Sequence, residues 1–230
     1  MIAWDIDGTL LRGGDPDHID GLAVALSEAA GQRITLDGVT LGGNVERRIC
    51  TEALRLAGIG GGHREGVDIG TIIDHAIALQ EAAYRGSVTD RTDRRLPGVP
   101  EVLRALEAIG CRQGVATGGS RGVAAHKLAT AGLDGWITFG AFGCEVPDRE
   151  TLLTVAAQRA DLGHGDRLVV IGDTVADVSA GQHVGAMVIA VATGRTSVAV
   201  LQEAGAHHVL DDLADVEAVV RVVGQALEFS

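Results

Sequence analysis

Asp5 and Asp7 stand two residues apart behind a short apolar run, Ile2-Ala3-Trp4, and are followed by Gly8-Thr9. On an extended segment this spacing points both carboxylates to the same side. A glycine directly after them allows the sharp turn that faces both into one pocket. Two like charges about 4 Å apart repel by about 4 kcal/mol at an effective dielectric near 20. A pair kept together is therefore protonated once or neutralised by a cation. The pair points to a metal-assisted nucleophile with a proton-transfer partner. The competing reading is an Asp-rich strand-to-turn with solvated side chains. A second acidic pair, Asp173 and Asp177, lies in Val-Ile-Gly-Asp-Thr-Val-Ala-Asp. Four residues apart at a strand-to-helix junction, these two share one side of the helix entrance. Read singly, they would be a helix cap and a solvated side chain; that reading must account for acidic pairs at two strand ends.

The elements that must position these groups follow from the hydrophobic pattern. From about residue 94 onward strands and helices alternate: helix 100–109, strand 113–117, helix 121–133, strand 136–139, helix 148–161 with Asp148 at its N-cap, strand 168–171, helix 175–184, strand 187–192, helix 197–204, strand 208–210 and a last helix from 216. Strands separated by helices imply parallel pairing with right-handed crossovers, a doubly wound, Rossmann-like α/β sheet. Ligands of such sheets bind beyond the carboxyl ends of the strands, where Asp5, Thr117 and Asp173 all fall. Residues 13–93 lack strand–helix alternation. Helical patterns at 19–30, 46–57 and 68–84 are joined by glycine-rich links, one of them 58–66, and read as a helical cap inserted over the pocket. The expected division is a core of 1–12 and 94–230 with a cap of 13–93.

Composition bounds the partners. The chain has 230 residues, enough for a sizeable core, and is 46% apolar with 3% aromatic residues, so packing rests on Ala, Val, Leu and Ile. A net charge of -12 argues against a nucleic-acid binder or a protein of anionic membranes. No apolar run approaches a membrane span. Cys50, Cys111 and Cys144 lie far apart without metal-type spacing, as expected of reduced thiols in a cytoplasmic protein. The active-site motif begins at residue 5, which leaves no room for a signal peptide ahead of it. The eight histidines show no ligand spacing, and His207-His208 reads as structural.

Asp5-x-Asp7-Gly8-Thr9-Leu10, the strand ending in Thr117, and Gly172-Asp173-x-x-x-Asp177 resemble, in order and spacing, the motifs of the haloacid dehalogenase superfamily. Leu96-Pro97-Gly98-Val99 before the first core helix, and Gly140-Ala141-Phe142-Gly143 after the third strand, extend the likeness over nearly the whole chain. The cap's place after the first motif is similar to that of the phosphoglycolate-phosphatase-like branch. This resemblance implies a phosphatase acting on a small phosphorylated metabolite. Asp5 would be the nucleophile and form an aspartyl-phosphate. Asp7 would protonate the leaving oxygen and then deprotonate water. Mg2+ would be held by the Asp5 carboxylate, the Asp7 main-chain carbonyl and the Asp173 carboxylate, with Asp177 as a further ligand or an anchor for a metal-bound water. Thr117 and the Gly118 N–H would bind phosphate oxygens.

The family also requires a cation beside the nucleophile, usually a lysine at the start of the helix before the last motif. That region reads Glu145-Val146-Pro147-Asp148-Arg149. The chain has one lysine, Lys127, on the helix after Thr117, where some relatives place this group. In a chain that otherwise uses arginine, a single lysine suggests that its compact ammonium matters. Lys127 is the expected counter-charge and Arg149 the alternative. In the cap, Gly42-Gly43-Asn44-Val45-Glu46 departs from the family's Gly-Arg-Thr-Asp-like substrate loop. Arg12, Arg47 and Arg48 are candidates for an anionic substrate group or for solvated charge.

Within the superfamily, a dehalogenase needs neither Asp7 nor magnesium. A phosphonatase needs a cap lysine, and residues 13–93 contain none. A phosphosugar mutase of the β-phosphoglucomutase type and a non-catalytic homologue that binds a phospho-ligand or a partner protein remain as alternatives.

Overall fold

A computed structural model describes residues 1–60, 68–87, 89–163 and 166–228. Residues 61–66 of the expected glycine-rich link, together with His63 and His164, lie outside the described residues. Six parallel strands, β1 (Ile2–Trp4), β2 (Gln113–Thr117), β3 (Ile137–Phe142), β4 (Val169–Gly172), β5 (Met187–Val191) and β6 (His208–Leu210), form one sheet in the order β3-β2-β1-β4-β5-β6. The continuous apolar runs of β1, β4 and β5 suit strands covered on both faces. β1 sits in the middle, with Trp4 in register with Val115 of β2 and Ile171 of β4. Sheet order reverses between β1 and β4, where an open α/β sheet leaves a crevice.

Helices cover both faces. Alternation along β1 sends Ile2 and Trp4 to one side, against Val102 and Leu106 of α4 (Val99–Ala108), Leu128 of α5 (Arg121–Thr130) and Val219 and Val223 of α9 (Val216–Glu228). Ala3 points to the other side with Val170, against Leu152 and Ala156 of α6 (Arg149–Arg159) and Ala180 of α7 (Val175–His183). Leu201 of α8 (Val198–Glu203) packs there on Val188 and Ala190. Between β1 and α4 the chain builds α1 (Pro16–Ala30), α2 (Glu46–Leu56) and α3 (Ile69–Ser87), which share a separate apolar cluster including Leu26, Cys50, Leu54 and Ile73.

Two passes of chain join this helical unit to the sheet, and they run side by side. Arg12 N–H donates to Arg94 O at 2.7 Å, Leu96 N–H donates to Leu10 O at 3.1 Å, and Leu11 bridges Arg95 antiparallel. No helix among the described residues is long and apolar enough to cross a membrane.

Most elements fall within a few residues of the sequence expectation, and the differences have local causes. α1 starts at Pro16 rather than at 19, because proline suits the first turn of a helix. α3 runs to Ser87 rather than 84. β3 continues to Phe142 instead of ending at 139, so Gly140-Ala141-Phe142 belongs to the strand rather than following it. Glycine weakens a strand pattern, yet Gly140 pairs with Val115 and its missing side chain leaves room for the Phe142 ring.

Two glycines with positive φ separate strain from contact. A Cβ on Gly98 (φ 78) would lie 2.0 Å from Leu213 O, whereas one on Gly110 (φ 83) would meet nothing within 4 Å. Gly110→Ala should cost about 1–2 kcal/mol from the left-handed backbone alone. Gly98→Ala should cost clearly more, by about a further 1–3 kcal/mol of overpacking. Urea denaturation of the two variants checks this; equal losses would show that the Leu213 turn yields freely.

Candidate active site

The three central strands deliver the chemistry to one place. Asp5 follows the end of β1 and donates its N–H to Ile171 O at 2.8 Å. Thr117 ends β2, and Asp173 follows β4. Since β1 lies between β2 and β4, the three chain ends are neighbours. After Asp5 the chain folds on itself: Leu11 N–H reaches Ile6 O at 2.9 Å and Gly8 N–H reaches Leu11 O at 2.7 Å, with Gly8 at φ 100. Asp5 and Asp7 both line a cavity of about 630 Å³ between the sheet ends and α1–α2, together with Thr117, Gly118, Arg149, Asp173 and Asp177.

Oxygens of Asp5, Asp173 and Asp177 lie within 4.8 Å of one another, and all three side chains are buried. Burial pushes the Asp5 carboxyl up to about 7; Arg149 pulls it down, and Asp177 adds to the rise. Burial also pushes Asp173 up to about 8, with Asp5 and Asp177 as repelling neighbours. Three oxygen donors crowded in this way fit a hard divalent cation. The backbone makes room around them. A Cβ on Gly8 would sit 2.4 Å from Asp173 Oδ2, and one on Gly194 would sit 1.6 Å from it. Asp177 is held tightly: it and Thr174 form a capping box at the start of α7. The helix cap is therefore Thr174, which leaves the Asp173 carboxylate available to the cavity.

Two buried cations divide the first motif between them. Arg149, the first residue of α6, donates from Nη2 to Asp5 Oδ1 at 2.7 Å and from Nε to Asp177 Oδ1 at 3.0 Å. Asp148 caps α6 by accepting the Thr151 N–H at 2.7 Å, which sets the direction in which Arg149 leaves the helix. Lys127 does not reach Asp5. Its Nζ donates to both oxygens of Asp7, at 2.7 and 2.6 Å, and lies 3.1 Å from His18 Nδ1. Lys127 was expected beside Asp5 with Arg149 as the alternative; in the structure Arg149 pairs with Asp5 and Lys127 with Asp7.

His18 and Glu46 carry contacts that their sequence positions did not announce. An ammonium has only donors, so His18 Nδ1 accepts from Lys127, and Nε2–H is left to donate to Glu46 Oε2 at 3.1 Å. Glu46 Oε2 also accepts the Ser120 N–H at 3.0 Å, at the start of the helix that carries Lys127. Nothing in the spacing of His18 predicts this, because α1 and α5 meet only in the fold. The loop after β5, with Thr193, Gly194 and Arg195 in the cavity wall, was findable, since it too lies beyond a strand's carboxyl end. Arg12 lines the cavity as well. Arg47 instead donates to Cys144 O at 2.9 Å and pairs with Asp74, and Arg48 is exposed. All three cysteines are free thiols.

The model of the haloacid dehalogenase-like hydrolases matches residues 1–185. The chain belongs to this family. Solved structures share its fold along almost the full length. A phosphonoacetaldehyde hydrolase-like protein from Oleispira antarctica matches with TM-score 0.70 and 21% identity, over 98% of this chain and 92% of its own. β-Phosphoglucomutase from Clostridium difficile matches with TM-score 0.72 and 13% identity, over 97% and 96%. CbbY from Rhodobacter sphaeroides in complex with phosphate matches with TM-score 0.65 and 19% identity, over 94% and 95%. No curated protein matches the chain in sequence.

The crowded carboxylates have a sign-determined effect on stability. With folded values near 7 and 8 against an ordinary 3.8, the native chain keeps protons that the unfolded chain has lost. Stability contributed by these groups is thus present near pH 4 and falls as pH rises to about 8. In EDTA, Asp173→Asn should raise Tm at pH 8 by on the order of 5 °C and leave it unchanged near pH 4. Added Mg2+ should raise the wild-type Tm at pH 8 and have less effect on the variant. Thermal unfolding at the two pH values reads both, and a pH-independent difference would contradict the assignment.

Proposed function

We propose that the chain is a magnesium-dependent phosphatase. It hydrolyses a small phosphomonoester through an aspartyl-phosphate on Asp5, beneath a cap formed by residues 13–93. The observation that carries this reading is that the two aspartates of the first motif are served by different cations. Asp5 lies beside Arg149 and the carboxylates of β4–α7, which supports its reading as the attacking group. Asp7 lies outside that cluster and is held by Lys127, which supports its reading as the group that moves a proton. Bound magnesium would be held by Asp5, Asp173, Asp177 and the Asp7 carbonyl, and would supply positive charge for the phosphoryl oxygens.

In the first displacement an Asp5 oxygen forms a bond to phosphorus while the bond to the alcohol oxygen breaks, and Asp7 gives that oxygen its proton. In the second, water attacks the same phosphorus and passes a proton back to Asp7, which frees Asp5 and phosphate. Thr117 and Gly118 line the cavity where phosphate oxygens need donors. Arg149 balances charge on Asp5 and on the group being transferred. A carboxylate accepting two bonds from one ammonium presents its base form. For Asp7 to donate, one of its bonds to Lys127 must release, and Lys127 is anchored by His18 on the cap. Cap position and the state of Asp7 are thereby linked.

Magnesium-dependent hydrolysis of p-nitrophenyl phosphate tests the reading, and Asp5→Asn should reduce it by about 10⁴-fold or more. Stoichiometric release of inorganic phosphate from alcohol phosphates separates a phosphatase from a phosphosugar mutase. Equal inactivity of wild type and Asp5→Asn over broad conditions would overturn the enzyme reading.

The two cations should also be distinguishable. Nitrophenolate leaves without much help, whereas an alkoxide needs a proton. Asp7→Asn and Lys127→Ala should therefore slow alkyl phosphates at least tenfold more than p-nitrophenyl phosphate. Arg149→Ala should slow both equally, by about 10²–10³-fold. Rate ratios for the two substrates measure this; a leaving-group dependence in Arg149→Ala would reassign the roles.

A further inference from the structure

The cavity has two chemically different ends. One holds the carboxylates, Arg149 and Thr117. The other is walled by Ile19, Leu22, Leu36, Leu41 and Ile49 from α1, α2 and the chain between them. Among the described residues of 13–93, none that lines the cavity is a lysine or an arginine; the ionisable ones are Asp15, His18 and Glu46. Asp15 is bonded to Tyr84, and His18 lies between Lys127 and Glu46. Glu46 Oε1 is buried without a hydrogen-bond partner in the described structure, so this wall already carries more acceptor than donor.

The arginines that line the cavity come from outside residues 13–93. Arg149 is committed to Asp5 and Asp177. Arg12 follows the first motif, and Arg195 follows Gly194, the residue packed on Asp173. Arg47 is held outside by Asp74 and Cys144.

A substrate whose phosphoryl group lies at Asp5 must place its alcohol against the aliphatic wall. A second phosphate or a carboxylate against this aliphatic wall would lose its water with no lysine or arginine of the described residues of 13–93 lining the cavity to compensate it. An aliphatic alcohol loses nothing and gains contact area. The cap is also docked in a way that encloses this wall. Glu46 N–H donates to Gly118 O at 2.7 Å and Arg47 N–H to Gly143 O at 3.2 Å, while Glu81 Oε1 accepts the Gly122 N–H at 2.6 Å. The first turns of α2 and α5 thus each bond the opposite unit, which holds Leu41 and Ile49 over the strand ends.

We propose that the site takes phosphomonoesters of predominantly apolar alcohols carrying no second anionic group, with the alcohol against Ile19, Leu22, Leu36, Leu41 and Ile49. This inference rests on the phosphatase reading for the place of the phosphoryl group. It differs from a site for phosphoglycolate or sugar bisphosphates, each of which brings a second anion.

The test is binding of methyl-, butyl- and hexylphosphonate in Mg2+ by calorimetry, alongside hydrolysis of the corresponding alkyl phosphates. Affinity should rise about three- to fourfold for each added methylene, and phosphonoacetate should bind more weakly than propylphosphonate. Leu41→Asn, at a half-buried position, should flatten the chain-length dependence. Leu41→Arg should reverse the preference toward phosphonoacetate. Affinity independent of chain length, or tighter binding of phosphonoacetate by the unaltered protein, would overturn the proposal even if phosphate esters are hydrolysed. A chain-length dependence without hydrolysis would support the ligand class and sink the phosphatase reading instead.

Discussion

Crowding of the Asp5, Asp173 and Asp177 carboxylates at the carboxyl ends of β1 and β4 is the constraint around which the rest of the molecule is arranged. Taking like charges out of water is unfavourable, and it is tolerated only where opposite charge and hydrogen bonds compensate. Arg149 supplies the guanidinium to two of the three. Its planar fork can serve Asp5 and Asp177 at once, which a lysine's point charge does less well. Thr174 holds the remaining oxygen of Asp177 at 2.7 Å. Asp173 has no cationic side chain bonded to it among the described residues; its Oδ1 accepts from Thr9 Oγ1 at 3.5 Å. These crowded oxygens, which hold on to protons near neutrality, are the feature a divalent cation would satisfy.

The sheet makes this crowding possible. β1 is only three residues long, yet it lies between β2 and β4 and so brings the chain ends of three strands within reach of one another. Rigid parallel pairing fixes where Asp5, Thr117 and Asp173 emerge. The turns after them are shaped by Gly8 and Gly194, where any side chain would collide with the Asp173 carboxylate. A site built from strand ends and backbone turns is held by the core on both faces of the sheet rather than by its own contacts.

The helical unit completes the site in a different manner. It has its own apolar cluster and joins the sheet through two adjacent passes of chain. Several of its contacts with the core are polar and sit at helix starts, where unsatisfied N–H groups favour carboxylate and carbonyl partners, beside apolar ones such as Val45, which packs with Ala116 and Phe139. Glu46 is the centre of this arrangement, touching both the start of α5 and His18. Through His18 and Lys127 the same carboxylate is connected to Asp7. Polar docking contacts of this kind can be exchanged for water when the units separate, unlike a buried apolar interface.

The α/β architecture and the helices between β1 and α4 were legible in the sequence because each is local. Apolar runs of strand length, helical periodicity and Asp-x-Asp-Gly spacing depend on neighbouring residues alone, and Asp148 was identifiable as a cap for the same reason. Gly140 hid the last part of β3, since a glycine's place in a strand depends on the ring that packs over it. Which cation serves which aspartate was not legible. Lys127 and Arg149 are 120 and 144 residues from the aspartates they contact, and the choice depends on how α5 and α6 lie against the end of β1. His18 and Glu46 belong to the same class, joined to the core by contacts between elements far apart in the chain. The sequence by itself determined which acids are present and the strands that end beside them. Tertiary structure alone decided their pairing, because distance in the fold and burial, rather than residue type, set the strength of each charge interaction.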